Sequence, residues 1–66
     1  MRVWLSRSRG NQTQQQIAEQ AGITQSYYSM IESGQRTPQV ALAKRLGEIM
    51  DFDWQKFYDD EGNKTA

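Results

Sequence analysis

Residues 13–34 read TQQQIAEQAGITQSYYSMIESG, and this stretch decides the fold of the chain. Apolar residues recur three and four positions apart in both of its halves: Ile17, Ala18 and Ala21 in the first, Tyr28 and Ile31 in the second. That spacing places them on one face of a helix. Gly22 separates the halves, and glycine readily takes the left-handed conformation that ends a helix and redirects the chain. The stretch therefore predicts a helix-turn-helix.

Each of the two predicted helices has its own start and stop signals. Thr13 can cap the first helix, and Gln16 three residues later completes a capping box. Thr24 can cap the second helix directly after the turn, and Gly34 can end it in a left-handed conformation. The predicted helices cover residues 14–21 and 25–32.

Three further helices are predicted around this motif. One covers about residues 2–9, one starts at Thr37-Pro38 and runs to about Met50, and a short last one covers WQKFY at 54–58. Asp53 can cap the last helix. We expect a single domain over residues 1–58, followed by a polar, flexible tail, DDEGNKTA, at 59–66.

The charges of the chain are polarised although its net charge is zero. Residues 1–45 contain six basic and two acidic residues, whereas residues 46–66 contain two basic and six acidic ones. The basic part includes the predicted helix-turn-helix. No run of apolar residues approaches the roughly 20 that a membrane span needs, and the lack of cysteine fits a reducing cytoplasm.

The residue inventory argues against catalysis. The 66 residues include no histidine and no cysteine, and there is no glycine-rich phosphate loop. A nucleophile would therefore lack an obvious activating base, and the usual zinc ligands are missing. Glu19 and Glu32 belong to different helices and have no other carboxylate near them in sequence. We expect no enzyme activity, no cofactor and no metal site.

With these helices placed, the chain resembles the lambda-repressor-like helix-turn-helix family, also called the Cro-repressor or XRE type. The resemblance rests on T-Q at 13–14, I-A at 17–18, A-G-I-T at 21–24, Y-Y-S-M-I-E at 27–32, Gly34 and Pro38. It covers residues 2–58 and implies an all-α, compact five-helix domain whose helix-turn-helix is formed by helices 2 and 3. Two features depart from the family pattern. The turn after helix 1 is about two residues shorter, and Tyr28 replaces an aliphatic residue, so its hydroxyl must reach a rim or a partner.

The resemblance implies sequence-specific binding of double-stranded DNA, with the recognition helix at about 25–32 in the major groove. The helix face opposite the apolar one consists of Gln25, Ser26, Ser29 and Met30. The base-reading positions of the family match Gln25, Ser26 and Met30. Glutamine can pair bidentately with adenine, and methionine can pack on a thymine methyl group. A merely solvated helix face is the alternative.

Contacts to DNA phosphates are expected from residues around the recognition helix. Gln14 matches the family position that clamps a backbone phosphate. Polar residues that flank the helix could act in the same way: Thr24, Tyr27, Ser33, Gln35 and Arg36. Thr24 could instead be a helix cap alone, and Arg36 an ordinary loop charge. Because nine glutamines offer hydrogen bonds without charge, we expect a shallower salt dependence than in a lysine-rich binder.

Arg9 and Glu32 are predicted to form a structural salt bridge between helices 1 and 3. When the shortened turn is allowed for, Arg9 matches a family arginine that pairs with the glutamate matched by Glu32. Glu32 also ends the recognition helix, where its charge faces the negative end of the helix dipole and needs a cation. Arg7 is the competitor if the turn is not shortened.

The C-terminal aromatic residues Phe52, Trp54, Phe57 and Tyr58 are either core or a dimer patch, and the sequence does not separate the two. Family members commonly dimerise through this region. The resulting interpretation is a cytoplasmic repressor that binds a pseudo-palindromic operator as a homodimer. The alternative is a protein-interaction module, antirepressor-like or antitoxin-like, that keeps the fold without specific DNA binding. The neutral net charge keeps this alternative open.

Overall fold

The structure of the protein is a computed structural model that describes residues 1–58. Four helices follow one another: α1 (Val3–Ser8), α2 (Gln14–Ala21), α3 (Gln25–Ser33) and α4 (Val40–Met50). A fifth short helical segment, α5, covers residues 56–58. The described residues form no strand, so the all-α, five-helix prediction is confirmed. None of these helices has the length and hydropathy of a transmembrane helix. The predicted tail at 59–66 lies outside the described residues.

The capping signals of the helix-turn-helix act as the sequence predicts. Thr13 accepts a hydrogen bond from the Gln16 N–H at 3.1 Å, and the Gln16 side chain accepts one from the Thr13 N–H at 2.8 Å. Thr24 Oγ1 accepts the Tyr27 N–H at 3.1 Å. Gly22 and Gly34 end α2 and α3 with φ values of 75° and 93°. The motif is therefore specified locally at each of its four helix ends.

The predicted start of the fourth helix at Pro38 is wrong by two residues. Gln39 is extended (ψ 161°), and the helix begins at Val40. Pro38 is instead buried, and its carbonyl oxygen accepts a hydrogen bond from the Tyr58 hydroxyl at 2.7 Å. A contact to the C-terminal segment thus holds Pro38 just before the helix. Helix α1 is one residue shorter at each end than its predicted range of 2–9.

Ten buried side chains form one core between the helices: Leu5, Ile17, Ala18, Ala21, Tyr28, Ile31, Ala43, Leu46, Met50 and Phe57. Helix α2 packs against both α3 and α4, and α1 packs against α3. The apolar stripe of α3 faces this core, so the opposite, outer face of the helix stays accessible. Tyr28 and Ile31, which make up that stripe, are both 0% exposed.

A sharp turn after α4 folds the C-terminal aromatic residues back onto α1. Asp51 takes the left-handed conformation (φ 59°), and the Phe52 N–H donates to the Gly47 carbonyl at 3.0 Å. The rings of Trp4, Phe52 and Phe57 then meet edge to face, with centroids 5.1–5.6 Å apart. Phe57 is fully buried inside the domain. Phe57 therefore belongs to the core, which is one of the two alternatives that the sequence left open for these aromatic residues.

Candidate nucleic-acid interface

The outer face of α3 consists of the four side chains predicted to contact bases. Gln25 and Ser26 are exposed, and Ser29 and Met30 are half-buried. Within residues 1–58, no hydrogen bond engages the side chains of Gln25, Ser26 or Ser29. Their polar groups are thus available to a ligand, and Met30 adds an apolar contact beside them. The geometry brings together short, uncharged groups of the kind that read base edges.

The residues predicted to contact phosphates surround α3, but their polar groups are not equally available. Thr24, Ser33, Gln35 and Arg36 are exposed, and Tyr27 is half-buried against the core. Thr24 is the N-cap of α3, yet its hydroxyl can still donate because it accepts in the cap. The Ser33 hydroxyl donates to the Met30 carbonyl at 3.0 Å, so its proton is already engaged inside the helix.

Gln14 lies at the start of α2, and its side chain belongs to an internal network. Its amide Nε2 donates to Glu32 Oε1 at 3.0 Å. One amide hydrogen and the side-chain oxygen remain for a phosphate or for water. This bond could not be predicted from the sequence, because residues 14 and 32 meet only when α2 and α3 pack together.

Arg9 and Glu32 form the salt bridge that the sequence predicts. Arg9 Nε lies 2.8 Å from Glu32 Oε2, and Arg9 Nη2 lies 3.2 Å from Oε1, so the pair is bidentate. The Glu32 side chain is only 3% exposed and that of Arg9 is 20% exposed. Arg9 Nη1 also donates to the Gln12 carbonyl at 3.0 Å, which fixes the short turn between α1 and α2. Arg7, the competitor, is exposed.

The ionisation of this network follows from its burial and its hydrogen bonds. Burial alone would raise the pKa of Glu32, but the hydrogen bonds from Arg9 and Gln14 outweigh it and hold the pKa below its ordinary value. The hydrogen bond to Glu32 raises the pKa of Arg9. Burial, with the neighbouring Glu32 carboxylate, raises the pKa of Tyr28. The Tyr28 hydroxyl finds its partner inside the core, where it donates to Met50 Sδ at 3.8 Å.

Several basic side chains are engaged within the domain. Arg45 Nη1 donates to the Ala21 carbonyl at the end of α2 at 3.2 Å. Lys44 Nζ lies 5.3 Å above the Trp54 ring, and Lys56 Nζ lies 5.2 Å above the Trp4 ring. Within residues 1–58, the side chains of two exposed arginines, Arg7 and Arg36, make no such contact. The shallow salt dependence stays a prediction, because a lysine or arginine that contacts a ring or a carbonyl keeps its charge.

Arg2 is a further basic residue next to this surface, and it was not predicted from the sequence to belong to the site. Its guanidinium is buried against the C-terminal end of α3 and the loop that follows. Its neighbours in sequence carry no signal of this role, because its partners lie about 30 residues away. Among residues 1–58, no group of acidic side chains could hold a metal ion.

Comparison with known proteins agrees with this geometry. A helix-turn-helix family model matches residues 9–57. The chain is 43% identical over 67 residues to a protein of Bacillus subtilis (strain 168) named "Uncharacterized HTH-type transcriptional regulator YqaF"; the match covers 98% of this chain and 88% of the relative. No solved structure matches. The chain belongs to the lambda-repressor-like (XRE-type) helix-turn-helix family of transcriptional regulators.

Proposed function

We propose that this protein is a cytoplasmic, sequence-specific repressor that inserts α3 into the major groove of double-stranded DNA. The observation that carries the proposal is the outer face of α3, where Gln25, Ser26 and Ser29 make no side-chain hydrogen bond to any residue among 1–58 and share the face with Met30. Side chains of these types can read the donors, acceptors and methyl groups at base edges. The family membership and the YqaF relative support this role.

The rest of the domain holds this face in one orientation. Tyr28 and Ile31 fix the opposite side of α3 in the core, and Glu32 ties the end of the helix to Arg9. Gln14, Thr24, Tyr27, Gln35 and Arg36 would contact phosphates around it. Ser33 could join them only by turning its hydroxyl proton away from the Met30 carbonyl, because a phosphate oxygen can only accept a hydrogen bond. Because the helix is already held in its binding orientation, little free energy is lost to ordering it when DNA binds. Repression would follow where the bound site overlaps a promoter.

We further propose that the regulator binds a pseudo-palindromic operator as a homodimer. Phe52, Trp54 and Tyr58 remain half-buried at the C-terminal surface. A groove of about 350 Å³ opens beside Phe52 and Trp54 and is also lined by Lys44, Glu48 and Asp51. Because the groove carries both signs of charge, two copies related by a twofold axis could pair them reciprocally.

Selection of bound sequences from a random duplex pool tests the proposed function. We expect enrichment of one motif with twofold related half-sites, and tighter binding of that motif than of random duplex at the same salt concentration. Titration of random duplex at low and high salt completes the test. If no duplex binds even at low salt, the protein-interaction module becomes the better interpretation and the DNA-binding proposal fails.

Gln25→Ala should remove discrimination at one base pair of the selected motif. The loss should be about 1–3 kcal/mol for the preferred base, because the bidentate amide contact is replaced by a methyl group. Competition binding against single-base variants of the motif measures it. Gln55→Ala is the matched control, since Gln55 is an exposed glutamine in the C-terminal segment and not on α3. Equal losses on motif and random DNA would show that Gln25 does not read a base.

Gln14→Ala should weaken binding to every sequence by a similar factor, as the loss of a phosphate contact does. The side chain also bonds Glu32, so the folded fraction of the variant is measured first by circular dichroism. A loss confined to the selected motif would contradict the phosphate assignment.

Trp54→Ala should shift the balance from dimer towards monomer and thereby weaken operator binding. Sedimentation of the wild type and the variant, free and bound to a full operator, measures this shift. Val40→Ala is a control for apolar truncation, because Val40 is 48% exposed and lies at the opposite end of α4 from the segment that contains the half-buried Trp54. A wild-type protein that stays monomeric on a full operator would remove the dimer proposal.

A further inference from the structure

We infer that Arg2 is a positioning residue, which sets the C-terminal end of the recognition helix and the loop that carries Arg36. The inference rests on the proposed function, because it assigns a role in the same DNA contact. Arg2 precedes α1 and would be counted from sequence as one more surface cation. The structure places it elsewhere: the residue is only 7% exposed.

Arg2 binds two segments of the chain through its main chain and its guanidinium. Its N–H donates to the Glu32 carbonyl at 2.8 Å, and Nη1 donates to the Ile31 carbonyl. Nη1 also donates to the Arg36 carbonyl at 2.9 Å, and Nη2 donates to Thr37 Oγ1 at 3.1 Å. One residue therefore bridges the last turn of α3 and the loop after it.

The environment of the Arg2 guanidinium explains why a cation is held there. The carbonyls of Ile31 and Glu32 belong to the C-terminal turn of α3, which carries the negative end of the helix dipole. The Phe57 ring lies 5.5 Å from Arg2 Cζ and covers the group. Because it is covered in this way, Arg2 cannot reach a phosphate itself. It acts on DNA only through the backbone that it holds.

The loop after α3 is held by hydrogen bonds to α3 and by hydrogen bonds from Arg2. Gln35 and Arg36 each donate their backbone N–H to the Met30 carbonyl, at 2.9 and 3.2 Å. Arg2 holds the same loop from the other side through the Arg36 carbonyl. The Arg36 side chain itself is exposed and makes no hydrogen bond or ion pair with any residue among 1–58. Without Arg2, the loop would sample more conformations. Ordering the loop and Arg36 on binding would then cost free energy and weaken the affinity for DNA.

The first test is amide hydrogen exchange of the free protein, which needs no DNA. In Arg2→Met we expect exchange of the Gln35 and Arg36 amides to accelerate about tenfold relative to the Ala21 amide, because bonds to a charged donor are lost. Ala21 in α2 reports general opening of the domain. Arg7→Met removes an exposed arginine from the same part of the chain and should leave this ratio unchanged. An unchanged ratio in Arg2→Met would overturn the inference.

The second test is a double-mutant cycle on DNA affinity with Arg36→Met. We expect Arg2→Met and Arg36→Met each to weaken binding. The affinity of the double variant should lie within about twofold of the weaker-binding single variant, because both residues act through one contact. The positioning role would be overturned if the double variant lost affinity by the product of the two single losses. It would also be overturned if a folded Arg2→Met bound DNA with full affinity. If Arg2→Met does not fold, Arg2→Lys replaces it, since lysine keeps the charge but lacks the fork that spans several acceptors.

The two proposals fail in different ways. A wild-type protein that binds no duplex overturns the proposed function and the DNA role of Arg2 together. Normal binding by the wild type, with no change in Arg2→Met, overturns the Arg2 inference alone.

Discussion

Glu32→Ala should destabilise the folded protein by about 3 kcal/mol, well above the 0–1 kcal/mol typical of a surface ion pair. The reason is the burial of the pair: the Glu32 side chain is 3% exposed and accepts two bonds from Arg9 and one from Gln14. Removing the carboxylate leaves the Arg9 guanidinium without its counter-ion. A domain of this length has a total stability of only about 3–10 kcal/mol, so much of the protein could unfold.

Urea denaturation followed by circular dichroism measures this loss. Glu32→Gln serves as the milder variant if the alanine protein is unfolded at 25 °C, because the amide keeps the shape and one acceptor. Glu19→Ala is the matched control, since Glu19 is an exposed glutamate on α2. Equal, small losses in the Glu32 and Glu19 variants would show that the buried ion pair contributes nothing special.

The same carboxylate should make stability depend on acid pH. The pKa of Glu32 is lowered on folding from its ordinary value of 4.5. Its contribution is therefore fully present above pH 4.5 and is lost as the pH falls towards the lower folded-state pKa. We expect the stability difference between wild type and Glu32→Gln to shrink below pH 4.5. A difference that stays constant from pH 7 to pH 3 would contradict this linkage.

Gly47→Val should destabilise the protein by about 3 kcal/mol through overpacking. Gly47 is buried in α4, and a Cβ at this position would lie 2.7 Å from the Phe52 carbonyl oxygen and 3.4 Å from Trp54 Cβ. The clash is with backbone of the turn that returns the C-terminal segment to the core. The turn would have to shift, and Phe57 would lose its place against Trp4.

Thermal and urea unfolding measure this effect, and near-ultraviolet circular dichroism reports the aromatic packing. Ala41→Val, at an exposed position of the same helix, is the control for the lower helix propensity of valine. We expect the near-ultraviolet signal to weaken in Gly47→Val and to persist in Ala41→Val. Similar stabilities in the two variants would show that the turn adapts to a side chain at position 47.

The sequence by itself determined the features that depend on residues close together in the chain. The caps at Thr13 and Thr24 and the left-handed glycines at 22 and 34 act within one helical turn, so local physics is sufficient. The 3.6-residue period likewise placed Tyr28 and Ile31 in the core. Family resemblance extended this to the Arg9–Glu32 pair. The base and phosphate contacts assigned to the residues on and around α3 stay predictions.

Only the tertiary structure decided which groups from distant segments meet. The burial of Arg2 against α3, the bond from Gln14 to Glu32 and the place of Phe57 in the core each join residues 18 or more positions apart. The late start of α4 has the same origin, because Pro38 is held by Tyr58. Sequence periodicity shows which face of an element is apolar. It does not show which buried carbonyl, carboxylate or ring a long polar side chain will reach once the helices pack.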